Sequence, residues 1–368
     1  MARAGLGPQW ECRLANDFDA AKGAAYSKRW GGKELIIGDV NDLRSEDFRG
    51  FAELAWASFP CQDLSLAGNG AGLHGTRSGA FWGFWRQMET LRREHRAPAM
   101  IVLENVTGAL SANEGSDFRL LMETLVRGGY RVGAMVIDAV HFLPQSRPRL
   151  FLFAVLNDLI IPSSLSSEKP CEAWHPRHLV TAHAMLSDES RERWIWWKLP
   201  MPSARTIRLM DLIEDPPLGV EWHSRAETER LLGMMSPIHR EKVEAAQASG
   251  VPAVGAIYKR TRVESGIRRQ RAEIRFDDIA GCLRTPGGGS SRQVLLFTEG
   301  RKVRSRLLST REAARLMGLP EDYPMPTRYN DGYHLAGDGV AVPVVRHLAA
   351  YLLEPILLAQ ADVAREVA

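Results

Sequence analysis

Over residues 1–155, short apolar runs alternate with stretches whose apolar residues recur at helical spacing. Arg13–Ala15, Glu34–Ile37, Leu54–Ala57 and Met100–Leu103 lack polar alternation. That is the pattern of strands buried on both faces of a parallel sheet. Each runs into polar or reactive residues: Asp17, Asp39, Cys61 and Glu104. Ligands of open α/β sheets gather beyond the carboxyl ends of the strands, so these four residues are expected at one edge. Helices are predicted over Ala20–Trp30, Ser78–His95 and Asp117–Gly128, the last closing on Gly128-Gly129. Val132–Val140 and Leu150–Leu156, joined by a Pro-punctuated connection, read as an antiparallel pair at the sheet edge.

The periodicity then weakens. From Ile161 to Ser290, prolines, charges and Trp194, Trp196 and Trp197 are mixed, as in a smaller and irregular second domain. The three tryptophans read as local core rather than a stacking platform. A helix is predicted over Ser309–Met317, capped by Ser309 or Thr310 with Glu312 in its first turn. Val340–Leu358 reads as a final buried helix, with Pro343 near its start and Pro355 breaking or kinking it. The expected organisation is 1–160, 161–305, and a returning segment 306–368.

Composition adds little: 45% hydrophobic and 25% charged residues describe an ordinary globular chain, and the net charge is only +3. The distribution of charge says more. Between Gly255 and Arg306 there are thirteen Lys/Arg against five Asp/Glu, an excess suited to a phosphate backbone or to a solvated, salt-bridged face. Cys12, Cys61, Cys171 and Cys282 form no ligand pair, so no metal site or disulfide framework is expected, and a reducing cytoplasm fits. No signal peptide or bilayer-spanning apolar run is read, so no membrane is expected.

Several residues could carry chemistry. Cys61 follows Pro60, which fixes the backbone, and precedes Gln62-Asp63-Leu64-Ser65, which is too polar for core. A thiolate there would be a nucleophile. Glu104, after an apolar run, suits a carboxyl that desolvation holds partly protonated, or else a helix N-cap or a surface acid. Arg147 and Arg149, two apart, point the same way if extended and could hold a carboxylate or carbonyl oxygen. Asp17 and Asp39 stand where acids bond ribose hydroxyls, with Phe18 beside Asp17 to cover an adenine. No hydrolase triad and no phosphate-binding P-loop is visible.

In order along the chain, these segments resemble the cytosine-5 DNA methyltransferase family. Phe59-Pro-Cys-Gln-Asp-Leu-Ser65 resembles its nucleophile motif, Glu104-Asn105-Val106 its Glu-Asn-Val motif, and Gln145-Ser-Arg-Pro-Arg149 its Gln-x-Arg-x-Arg motif. Thr310–Gly318 resembles the motif after the target-recognition region, and Gly337–Pro343 the final motif. The resemblance spans nearly the whole chain. It implies an α/β fold: a mostly parallel, doubly wound, Rossmann-like sheet with an antiparallel edge hairpin, plus a smaller irregular target-recognition domain.

The resemblance also implies a reaction on a cytosine flipped out of double-stranded DNA. Cys61 would attack C6, Glu104 would bond N3 and the exocyclic amine, and Arg149 would bond O2, with Arg147 buttressing the acid. C5 would take a methyl group from S-adenosyl-L-methionine, and loss of its proton would expel Cys61. Asp17, Phe18, Asp39, Val40 and Pro60 would line the cofactor site, with Asp338, Gly339 and Val340 closing its methionine end. Arg284, Ser290, Ser291 and Arg292, in the Gly-rich Leu283–Gln293 segment, would meet DNA. A monomeric, cytoplasmic, nucleoid-associated enzyme with a cognate restriction endonuclease follows from the same resemblance. The pattern departs in two places. The family's opening strand and Gly-rich loop are not seen before Met1-Ala-Arg-Ala-Gly-Leu-Gly7, so weak or absent cofactor binding is expected, and Asp338 replaces the usual Asn. A catalytically impaired DNA-binding relic and a transfer-RNA methylase of the same family are the competing readings.

Overall fold

The computed structural model describes residues 1–59, 79–284 and 292–367. Two short parallel strands come first, β1 (Ala15–Asp17) and β2 (Leu35–Ile37), connected by α2 (Ala20–Trp30), which follows the short α1 (Ala2–Leu6). Asp19 caps α2 by accepting from the Ala21 and Lys22 amides, and Gly31 ends it in the left-handed region that a Cβ disfavours. A separate sheet holds β3 (Leu54–Ser58), β4 (Met100–Val106), β5 (Tyr130–Asp138) and β6 (Pro148–Leu156) in the order β3-β4-β6-β5. β3 and β4 are parallel, while β6 runs antiparallel to both β4 and β5, so the hairpin forms the edge. Among the described residues no ladder joins the two sheets.

The absence of polar alternation in β4 has a plain cause: both of its faces are covered. Ile101 and Leu103 enter one core with Phe81, Leu121 and Leu125, from α3 (Gly79–Arg93) and α4 (Ser116–Arg127). Met100 and Val102 enter another with Leu316, Val345 and Leu352. Helices therefore lie on both sides of the sheet.

Two expectations need correction. Glu104 does not follow its strand but lies within it, because β6 extends the ladder past it, pairing Glu104 with Phe151 and Val106 with Arg149. Asp17 ends β1, as expected. The region beyond Ile161 is only partly irregular. It carries β7 (Ser166–Ser167), α5 (Arg177–Ala184), α6 (Asp188–Glu192), β8 (Trp196–Trp197), α7 (Arg225–Gly233) and α8 (Pro237–Ala248). An antiparallel sheet follows, made of β9 (Ala253–Glu264), β10 (Ile267–Arg275), β11 (Val294–Glu299) and β12 (Lys302–Leu307) in the order β10-β9-β11-β12. Its core of Leu231, Val243, Ile257, Ile274 and Leu296 is small, and the β9–β11 pairing that joins its two hairpins leaves a weak local signal.

Packing also divides the expected 161–305 unit. The Val132 and Val136 amides donate to the Arg193 and Trp174 carbonyls, which attaches this stretch to β5. Trp197 is fully buried there, and a Cβ on Gly133 would sit 2.2 Å from the Ile195 carbonyl, so only glycine allows the approach.

The chain ends in α9 (Thr310–Leu316), α10 (Tyr329–Asp338), α11 (Val342–Leu348) and α12 (Glu354–Val367). Ser309 and Glu312 form a reciprocal capping box on α9. A π-helical turn over Ala349–Leu353 precedes Pro355, whose missing N–H cannot join an α-helical ladder. Contrary to the sequence reading, one stretch, Tyr329–Asp362, is long and apolar enough to cross a membrane. Its apolar residues serve the core instead: Tyr333, Val345, Leu348 and Leu352 are fully buried or nearly so.

Candidate active site

The antiparallel register of β4 and β6 builds the site. Glu104 and Val106 share a face, and Val106 lies opposite Arg149, so the acid and the guanidinium meet diagonally across the ladder. Arg149 Nε stands 3.2 Å from Glu104 Oε1, and both side chains are largely buried. Burial pushes the Glu104 carboxyl up from its ordinary range; Arg149, Arg147 and the Ser58 hydroxyl pull the other way. Ser58 lies opposite Glu104 in the β3–β4 ladder and accepts from Trp56 Nε1 at 3.2 Å.

Asn105, the next residue, is buried and donates from Nδ2 to the Phe59 carbonyl at 3.1 Å. That bond fixes the chain two residues before Cys61. Cys61 and Pro60 themselves lie outside the described residues, as do Ser290 and Ser291. Asn105 is legible in the sequence only as the middle of the Glu-Asn-Val motif, with no role of its own, and Ser58 gives no signal.

Arg147 does something other than buttress the acid by direct contact. Its Nη1 donates to the Leu283 carbonyl at 3.0 Å and toward Cys282 Sγ at 3.3 Å. Its Nη2 donates to the Gly337 and Gly339 carbonyls, both at 2.7 Å. Burial, with Arg149 adding to it, lowers this guanidinium to about 10. Arg147 thus ties two remote stretches, 282–283 and 337–339, to β6, and only its charge reaches Glu104. Gln145, fully buried, helps by donating to the Leu316 carbonyl at 2.6 Å and accepting from the Leu283 amide at 3.3 Å. Arg149 Nη2 also lies 3.5 Å from Cys282 Sγ.

The expected cofactor residues divide into two groups. Asp17 ends β1, and Phe18, the next residue, is 81% exposed, an uncovered aromatic face beside a carboxylate. Asp39 follows β2 and accepts from the Asn41 amide, leaving Val40 against Gly83 of α3. These four fit a nucleoside. Asp338, Gly339 and Val340 do not form the expected contact surface. Asp338 pairs with Lys22 at 2.7 Å, the Gly339 carbonyl is taken by Arg147, Met1 packs over Gly339, and Val340 is in the core. Arg284 is exposed, whereas Arg292 Nη2 donates to Asn330 Oδ1 at 2.6 Å. No cluster of metal-ligating side chains occurs among the described residues.

Strand order, the edge hairpin and helices on both faces define a Rossmann-like methyltransferase fold. The model of the family described as C-5 cytosine-specific DNA methylase matches residues 1–354, and the chain belongs to that family. It is 24% identical over 353 residues to the type II methyltransferase M.Bsp6I of Bacillus sp. (strain RFL6), covering 95% of this chain and 93% of that protein. It is 28% identical over 321 residues to a DNA-cytosine methyltransferase of Escherichia coli K12, covering 81% of this chain and 59% of that one. Among solved structures, Spodoptera frugiperda DNMT2 superposes with a TM-score of 0.56 at 15% identity, over 96% of this chain and 94% of that one. A putative DNA modification methyltransferase encoded within an E. coli prophage gives 0.52 at 15% identity, over 95% and 93%. At these identities the superpositions speak for the fold alone.

Proposed function

We propose that the protein methylates C5 of a cytosine flipped out of double-stranded DNA, through a transient bond between Cys61 and C6. The observation that carries this reading is the buried Glu104–Arg149 pair, tied through Asn105 to the segment that leads into Cys61. Burial shifts the Glu104 carboxyl toward its protonated form, and in that form it would donate to N3 as the Cys61 sulfur bonds to C6, so electrons pushed into the ring would find a proton. Arg149 would bond O2, with Arg147 holding the 282–283 and 337–339 stretches around it. When the C5 proton leaves, the C6–S bond breaks and the ring regains its aromaticity.

Asp17, Phe18, Asp39 and Val40 would hold the nucleoside end of S-adenosyl-L-methionine, which supplies an electrophilic methyl group when bound. The setting in this reading is cytoplasmic, at the nucleoid, where a bacterial-type enzyme of this family would meet its DNA. A monomer and a partner restriction endonuclease remain part of the same reading.

Incubation with duplex DNA carrying 5-fluorocytosine tests it, because fluorine at C5 blocks the final elimination. The parent protein is expected to give a covalent adduct stable to denaturing electrophoresis, and Cys61→Ala none. The same adduct on transfer RNA but not on duplex DNA would move the substrate to RNA. No adduct on either polymer would overturn Cys61 chemistry.

A further inference from the structure

β11 pairs with β9 only through Ala253–Ile257, yet β9 and β10 stay paired to Glu264 and Ile267. Beyond the sheet they form a two-stranded ribbon on the order of 20 Å long, given the rise per strand residue. Its turn is Ser265-Gly266, both with positive φ (50° and 78°), which suits a two-residue hairpin. Between Tyr258 and Arg275 the ribbon carries seven Lys/Arg against two Glu.

The register makes this charge hard to explain as stabilisation of the ribbon. Arg260 lies opposite Arg271 and Arg262 opposite Arg269, two like-charge pairs on one face. Directly opposed like charges weaken a strand pair. Glu273 is shared by Arg262 Nε at 2.7 Å and Arg260 Nε at 3.6 Å, and Glu264 accepts from Arg271 Nε at 2.7 Å. Two acids therefore serve four arginines on that face. Near the tip, Val263 and Ile267 are 68% and 56% exposed, so no core is built there to hold the ribbon together. On the opposite face, burial, Arg230 and Arg292 pull Lys259 below the ordinary lysine range.

The root of the ribbon is at the candidate active site. A Cβ on Gly281 would meet the Tyr258 hydroxyl at 0.8 Å, so Tyr258 occupies the space above Gly281. The next residue, Cys282, is the one whose sulfur lies between Arg147 and Arg149. Arg260 sits 5.7 Å over the Tyr258 ring. Positive charge therefore continues from the Glu104–Arg149 pair out along the ribbon.

We propose that this ribbon is an arm that lies along the phosphate backbone of duplex DNA flanking the target cytosine, with Arg262 and Arg269 among its sequence-independent contacts. The inference rests on the DNA reading above. Each phosphate contact releases counterions and adds about 0.9 to the slope of log affinity against log salt.

The test is a salt titration of binding to a target duplex and a random duplex, for the parent, Arg262→Gln/Arg269→Gln and Arg262→Lys/Arg269→Lys. The Gln pair is expected to lower the slope by about 2, weaken both duplexes alike, and unfold at no lower temperature than the parent. The Lys pair should keep the slope. An unchanged slope in the Gln pair, with the parent binding and methylating DNA, overturns the arm alone; so does a loss confined to the target duplex. A parent that binds no duplex DNA overturns the arm together with the reading beneath it.

Discussion

Replacing Glu104 with glutamine is expected to lower the methylation rate by about 10²- to 10⁴-fold, the usual range for a positioned acid, with little change in DNA affinity. Glutamine keeps a donor near N3 and the volume of the buried site, but it has no proton to give. Single-turnover methylation at saturating DNA and cofactor checks this, and a variant within threefold of the parent would remove Glu104 from the reaction. A pH signature goes with it. Burial raises the folded-state pKa of Glu104 above the unfolded value of about 4.3. Between those two values the folded protein binds more protons than the unfolded chain, so stability contributed by this group is present below the unfolded pKa and declines as pH rises through the window. Glu104→Gln should lose that decline. The parent rate should fall at higher pH as the carboxyl ionises. Urea midpoints and rates measured across pH give both.

Arg306→Met is expected to cost roughly 3–5 kcal/mol of stability, the range for removing one partner of a buried ion pair. Arg306 and Glu312 are both fully buried. The guanidinium grips the carboxylate with two bonds, of 2.6 and 2.8 Å, and donates a third to the Glu214 carbonyl at 3.1 Å. Glu312 also accepts from the Ser309 and Glu214 amides, and the Ser309 hydroxyl donates to Glu214. One pair thereby fastens β12, the Glu214 segment and the start of α9, where the second sheet meets the helices that cover the first. Removing the arginine leaves a buried carboxylate without its counter-ion. Arg306→Met/Glu312→Gln should therefore lose less than Arg306→Met alone. Denaturant midpoints of the three proteins decide it; a single variant as stable as the parent would show that the pair adds nothing.

What the sequence determined by itself was chemistry and local structure. The unalternated runs around β3 and β4, the helical spacing of α2 to α4, the Ser309 cap and the Pro355 disturbance are local effects, set by side-chain size, missing donors and periodicity within a few residues. The ordered motifs around Cys61, Glu104 and Gln145–Arg149 were legible for the same reason, since a reactive group must be a particular residue type.

Tertiary structure decided which partner each group takes. That Arg149 rather than Arg147 faces Glu104, that Arg147 is spent on carbonyls at 283, 337 and 339, and that Asp338 turns to Lys22 depend on register and on segments up to 316 residues apart in sequence. The β9–β12 sheet was illegible as a unit because its two local hairpins, β9–β10 and β11–β12, are joined only by the β9–β11 pairing across a longer connection, and strand composition by itself signals pairing weakly. The opposed arginines of the β9–β10 ribbon likewise became visible only with the register, which places side chains face to face that the sequence merely counts.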